Sequence, residues 1–145
     1  MGYTHYWEVK DQAVWAQIWP RLISDANQVI GHANVELRQD EYHRDHATIE
    51  EGIKLNGTCD HEPFVLLPAG PGSMGFAFCK TARKPYDLVV ATVLMRAKML
   101  AGNGFRVNSD GEFDSDLDTW VAAKKLYMQL WPSEQVPTED IFGDA

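Results

Sequence analysis

The sequence predicts an α+β protein, a mostly antiparallel sheet of four to six strands with three helices, one of them central and buried. Three observations carry this. Short segments of β-forming residues bounded by turn residues recur from Tyr3 to Asn108. Two segments, one ending near Ile30 and one near Leu130, place apolar residues at helical spacing. Between them, Pro85 to Met95 and onward is apolar nearly all the way round, which a helix tolerates only when it is buried.

Taken in order, Tyr3–Val9 alternates aromatic and polar residues as a half-buried strand does. Asp11 is placed to cap a helix whose inner side carries Val14, Trp15, Ile18, Trp19, Leu22, Ile23, Ala26, Val29 and Ile30. Pro20 removes a backbone donor there, so a kink or break is expected near Ile18 to Pro20, with Gly31 closing the helix. His32 to Glu51 is polar, a loop with one weak strand at Asn34–Arg38. Gly52–Asn56 and Glu62–Leu67 are strands whose connection starts at the turn pair Asn56-Gly57.

Pro68 to Ser73 is a breaker-rich loop before the strand Gly75–Cys79, and Pro85 is read as the first residue of the buried helix. Gly102-Asn-Gly104 stops that helix, with Arg96 and Lys98 toward its negative end. Phe105–Asn108 is a short strand and Ser109-Asp-Gly111 a turn. Ser115, Asp116 and Asp118 open a last helix bearing Leu117, Trp120, Val121, Ala123, Leu126, Tyr127 and Leu130 inward. Residues 1–132 read as one domain and 133–145 as a loose acidic tail in which Ile141 and Phe142 are able to dock.

Composition narrows the function classes. With 145 residues and 45% hydrophobic content, the chain builds a core without disulfides or metals. A net charge of −8 argues against bulk nucleic acid and anionic membranes as partners, so any anion site must be local. Met1 to Lys10 is aromatic and polar, without the apolar run of a signal peptide or membrane span, and a cytoplasmic protein is expected. Cys59 and Cys79 match no zinc spacing and pair only if they meet in space.

Several blocks carry a resemblance. Met1 to Trp7 (Met-Gly-Tyr-Thr-His-Tyr-Trp), Asn56-Gly57, His61 to Leu66, Phe78 to Asp87 (Phe-Cys-Lys-Thr-Ala-Arg-Lys-Pro-Tyr-Asp), Ser109 to Glu112 and Trp120 resemble a family of small bacterial and phage proteins. The likeness spans most of the chain and is most specific over Phe78 to Asp87, while Phe113 stands where that family has tryptophan. It implies no catalytic role for any residue. Its phage members suggest sequestering or sensing a signalling nucleotide as one concrete form of ligand binding.

The strongest candidate chemistry lies in that block. Lys80, Thr81, Arg83 and Lys84 precede a buried helix, whose free N–H groups and positive pole favour a phosphate or carboxylate, and the pattern is not that of a P-loop. The plainer reading makes them solvated cations paired with nearby carboxylates. Tyr3, Tyr6, Trp7 and Tyr86 are candidates to stack a base, although rings more often build cores. His61 and His5 are candidate acid–base residues, against the plainer reading of structural histidines.

Cys79 lies in an apolar strand and reads as an inert thiol. His43 and His46 in their polar loop, and the aspartates 110, 114, 116 and 118, read as solvated charge and turn or capping residues.

The leading expectation is thus a binding module for a small anionic, phosphorylated ligand, with Lys80, Thr81, Arg83, Lys84, Tyr86 and Trp7 as contacts and neither cofactor nor metal. Two alternatives stand beside it. One is a phosphoester-acting enzyme using His61 or His5 with Lys80 and Arg83; the other is a homo-oligomeric interaction protein with an aromatic surface.

Overall fold

A computed structural model describes residues 3–37, 46–57, 62–68, 76–82, 84–110, 119–134 and 141–142. These form an α+β fold of strands β1 (Thr4–Val9), β2 (Ile53–Leu55), β3 (Phe64–Leu66), β4 (Phe76–Lys80) and β5 (Phe105–Ser109), with helices α1 (Gln12–His32), α2 (Asp87–Ala101) and α3 (Thr119–Leu130). The strands divide between two antiparallel sheets rather than one: β4-β1-β5, and the pair β2-β3. β1 has a neighbour on each edge, and the short strands β2 and β3 pair with each other. The indole N–H groups of Trp15 and Trp19 join α1 to the segments flanking that pair, donating to the Leu67 and Ile49 carbonyls at 3.1 and 2.9 Å.

The alternation in β1 decides the layering. Tyr3, His5, Trp7 and Val9 point into the core, where they join Cys79 of β4 and Phe105 and Val107 of β5. α2 lies behind the sheet, packed against β5 and both other helices. Its run Val89–Ala97 is buried throughout, as its all-round apolar sequence demands. Each Val, Leu or Met side chain buried there contributes about 1.5–3 kcal/mol relative to exposure.

α1 begins where expected: Asp11 accepts from the Ala13 and Val14 amides at 3.0 and 3.2 Å. Pro20 does not break it, since the helix is continuous over 21 residues and ends at His32, capped by Ala33, rather than at Gly31. Pro20 and Ala16 both face solvent, where water replaces the lost hydrogen bond, while Trp15, Trp19, Leu22, Ile23, Ala26 and Val29 hold the inner face. The weak strand at 34–38 reduces, among the described residues, to one bridge between Leu37 and Gly57.

Gly57 does not adopt the positive φ of a tight hairpin turn. A Cβ on it would lie 3.0 Å from the Tyr86 ring, so the glycine serves close packing. Pro85 stands in a turn before α2, and Gly102, at φ 58, ends the helix while Lys98 Nζ donates to the Gly102 and Phe105 carbonyls.

Arg96 was expected near that end but is buried, with its guanidinium donating to Asp25, Tyr127 and Glu134 at 2.7–3.0 Å and stacked 4.2 Å from the Trp131 ring centroid. Beyond α3, Phe142 docks: it bridges in parallel to Val107 and lies edge-on to Trp120 at 4.8 Å. No helix among the described residues is long and apolar enough to cross a membrane.

Candidate functional site

The segment from Lys80 to α2 turns inward more than its charges suggest. The Thr81 and Ala82 amides donate to Tyr3 O at 3.0 and 3.2 Å, Lys84 N to Thr81 O at 3.0 Å, and Asp87 N to Lys84 O at 2.8 Å. Ala82 reaches this path through the left-handed region, at φ 51. Four amides of the turn leading into α2 are therefore bonded within the chain. The first turn of the helix also carries an acidic side chain of its own, the buried Asp87.

That carboxylate anchors a buried polar network. Asp87 Oδ1 accepts from Thr81 Oγ1 at 2.7 Å and meets His5 Nε2 at 2.6 Å. The other ring nitrogen of His5 lies 2.7 Å from Ser109 Oγ, which accepts from Trp120 Nε1 at 3.1 Å. Every link is made when His5 carries its proton on Nε2, so that Ser109 donates to Nδ1 and His5 donates to Asp87. Five segments (β1, β5, α2, α3 and the turn after β4) are tied at one point. No sequence signal announced this, because Ser109 read as a turn residue and Asp87 as the last residue of the basic block.

The candidate residues consequently separate. Thr81, Tyr86 and Trp7 are buried, Trp7 with its ring edge-on to Phe64 at 5.2 Å and Tyr86 with its hydroxyl donating to the Glu62 carbonyl. Burial raises the Tyr86 phenol above its ordinary range and pushes the neighbouring Cys79 thiol up to about 12. Lys80 is exposed and Lys84 half-buried, and the Lys80 ammonium has no ion-pair partner among the described residues.

Arg83, His61 and Cys59 lie outside the described residues. His5 and Lys80 are not brought together: Lys80 faces Thr4 and His5 faces Cys79 in the pairing of β1 with β4, so the two side chains leave opposite faces of the sheet. That geometry tells against their joint action on one phosphoester.

The outer face of the three-stranded sheet carries a concavity of its own. A hollow of ≈ 150 Å³ is lined by Tyr6, Trp7, Glu8, Arg106 and Asn108. Across it, register sets Phe78, Tyr6 and Asn108 in one row, flanked by Lys80 and Thr4 on one side and by Glu8 and Arg106 on the other. Phe78 is 54% exposed. Glu8 stands 3.8 Å from Arg106 and 3.6 Å from Lys10, and Tyr6 OH donates to Asp110 at 3.2 Å.

Arg106, Asn108 and Phe78 were not among the site residues expected from the sequence. The alternation within Phe105-Arg-Val-Asn108 is the signal that places Arg106 and Asn108 on a common face.

Fold and face together define a small α+β protein with a mixed aromatic, cationic and amide-bearing sheet surface. Comparison with protein-family models, with curated proteins and with solved structures finds no match.

Proposed function

We propose that the protein is a binding module for a small anionic ligand, held on the outer face of the sheet β4-β1-β5 rather than at the start of α2. One observation carries the reading: a hollow with Arg106 in its wall opens on the sheet face from which Lys80, on the strand that leads into the basic block, also projects, one row beyond Tyr6. Ligand sites are concave surfaces with a few placed polar groups. A hollow of ≈ 150 Å³ seats a ring-sized fragment, leaving the rest of the ligand on the open face.

The net charge of −8 favours a small ligand over a polyanion. Lys80 belongs to both the expected and the present site, and its solvent-facing ammonium gives the anion a point charge.

The test is a thermal-shift series with inorganic phosphate, ribose 5-phosphate and nucleoside monophosphates. A ligand at about 100 times its Kd stabilises the folded state by about 2.7 kcal/mol, which raises the melting temperature by several degrees. The rise should shrink in Lys80→Ala and Arg106→Ala. Absence of a shift with every anion in the series overturns the reading.

A further inference from the structure

We infer that Asn103 is a site of spontaneous covalent modification, at which water converts the side-chain amide to aspartate and isoaspartate with loss of ammonia. Two Asn-Gly pairs of identical chemistry but different surroundings, Asn56-Gly57 and Asn103-Gly104, carry this.

In such a pair the glycine amide nitrogen attacks the side-chain amide carbon of the asparagine. The new C–N bond closes a five-membered succinimide, the bond to the side-chain nitrogen breaks, and that nitrogen leaves as ammonia with the proton given up by the glycine amide. Water then opens the ring at either carbonyl. One opening gives aspartate. The other gives isoaspartate, in which the backbone runs through the former side chain and is longer by one methylene. Glycine favours closure because it has no Cβ to obstruct the approach and little torsional preference to overcome.

The fold treats the two pairs differently. Asn56 is 4% exposed, and a Cβ on Gly57 would stand 3.0 Å from the Tyr86 ring. The Gly57 amide donates to Asn56 Oδ1 at 2.9 Å. Neither water nor a base reaches this pair, and turning Gly57 toward the amide carbon would press on a buried ring.

Asn103 is exposed, in the three-residue 3₁₀ turn Gly102–Gly104 between α2 and β5. Gly102 before it is exposed too, and a Cβ there would meet nothing within 4 Å. Among the described residues no hydrogen bond holds the Asn103 side-chain amide. A single 3₁₀ turn has poorer hydrogen-bond geometry than an α-helix, and short surface turns open locally at little cost.

The same turn is a latch, so modification there has a structural consequence. Gly104 O accepts from the Lys10 and Asp11 amides at 2.7 and 3.2 Å, where β1 passes into α1. Val14 of α1 packs against Gly104 so closely that a Cβ would lie 3.1 Å from it. Lys98 Nζ ties the carbonyls on either side, those of Gly102 and Phe105, at 3.0 and 2.9 Å. An extra methylene between positions 103 and 104 carries the Gly104 carbonyl away from its two donors. The new carboxylate also adds negative charge beside the negative pole of α2. Isoaspartate at position 103 thus loosens the joint between the end of α2 and the start of α1.

The experiment incubates the folded full chain in warm, mildly alkaline buffer beside a sample in concentrated urea. Tryptic peptides 99–106 and 55–80, which hold one asparagine each, are then weighed. In the folded sample, peptide 99–106 is expected to gain about one dalton and to resolve into aspartate and isoaspartate forms about ten times as fast as peptide 55–80 changes, while in urea the two rates converge. The unfolding midpoint of the aged protein falls by several degrees, and Asn103→Gln keeps its midpoint through the same incubation.

An unchanged peptide 99–106 in the folded sample, or equal rates for the two peptides there, overturns the site. Modification at position 103 with an unchanged midpoint overturns the latch. Circular dichroism checks that Asn103→Gln folds; should it not, Asn103→Ser replaces it with the same expected result.

Discussion

His5 Nε2 sits 2.6 Å from Asp87 Oδ1 with both residues essentially sealed from solvent, joining the first strand to the first turn of the central helix across 82 positions of sequence. Thr81 donates to the same oxygen at 2.7 Å, so the carboxylate depends on two separate donors. Removing either partner leaves a buried group under-bonded, at a cost of about 1–3 kcal/mol. Thr81→Val and His5→Phe should each lower the unfolding free energy by that amount. Because both act on one oxygen, urea denaturation of the double variant should show coupling of about 0.5 kcal/mol or more; strict additivity would mean that the two bonds do not share a network.

Arg96 sets a second expectation. It is 1% exposed and joins Asp25 of α1 to Glu134 after α3, whereas Arg21, which contacts the same two acids, is an exposed side chain. Breaking a buried pair strands a charge and costs about 3–5 kcal/mol, while an exposed pair is worth about 0–1 kcal/mol. Arg96→Met should therefore reduce stability severely in a denaturant titration and Arg21→Ala hardly at all. Comparable losses in the two variants would contradict the burial argument.

Acid sensitivity follows from Glu134. Hydrogen bonds from Arg96 hold its carboxyl below the ordinary glutamate range. A carboxyl lowered on folding contributes stability that is fully present above its unfolded pKa, about 4.3, and is lost as pH falls through the lower folded value. Unfolding midpoints measured from pH 6 downward should decline across that window. The slope should be shallower in Glu134→Gln, and an unchanged slope would sink the assignment.

Cys79 provides a chemical test. Burial pushes its thiol up to about 12, and its sulfur rests near the Glu62 carbonyl and the Tyr86 hydroxyl. At pH 8 the folded protein carries almost no thiolate there, so a thiol-specific disulfide reagent added to Cys59→Ser should react only after unfolding. The pH linkage has the opposite sign to that of Glu134. Between about 9 and 12 the unfolded chain has released a proton that the folded one retains, so this thiol makes the protein less stable as pH rises. Rapid labelling of the native variant at pH 8 would show that the strand is open.

Much of the architecture was legible in the chain because it rests on local signals. The alternation of Tyr3–Val9 marked β1, Asp11 marked the start of α1, and the unbroken apolar character of Leu88 to Met95 marked a helix with no solvent face. Pro20 misled because its cost depends on what surrounds it. On a solvent-facing turn of a helix held by two tryptophans the missing hydrogen bond goes to water.

The expected single sheet became two: β4 and β5 took the two edges of β1, while β2 and β3 paired with each other. The site was less legible. Lys80 stood out as a charge, but Tyr6, Asn108 and Arg106 come to share its face of the sheet only through the pairings with β1.

By itself the sequence determined which segments are helices and strands, which helix is buried, and that any anion site had to be local on an acidic chain. Those properties follow from side-chain periodicity, backbone chemistry and net charge, all read over short distances or summed over the whole chain. Only the tertiary structure decided that the start of the central helix would be filled by Asp87 and that Phe78, Tyr6 and Asn108 would stand in one row. The reason is register: a one-residue slip exchanges the two faces of a strand, and that choice is made by the packed core between segments some 70 to 100 residues apart.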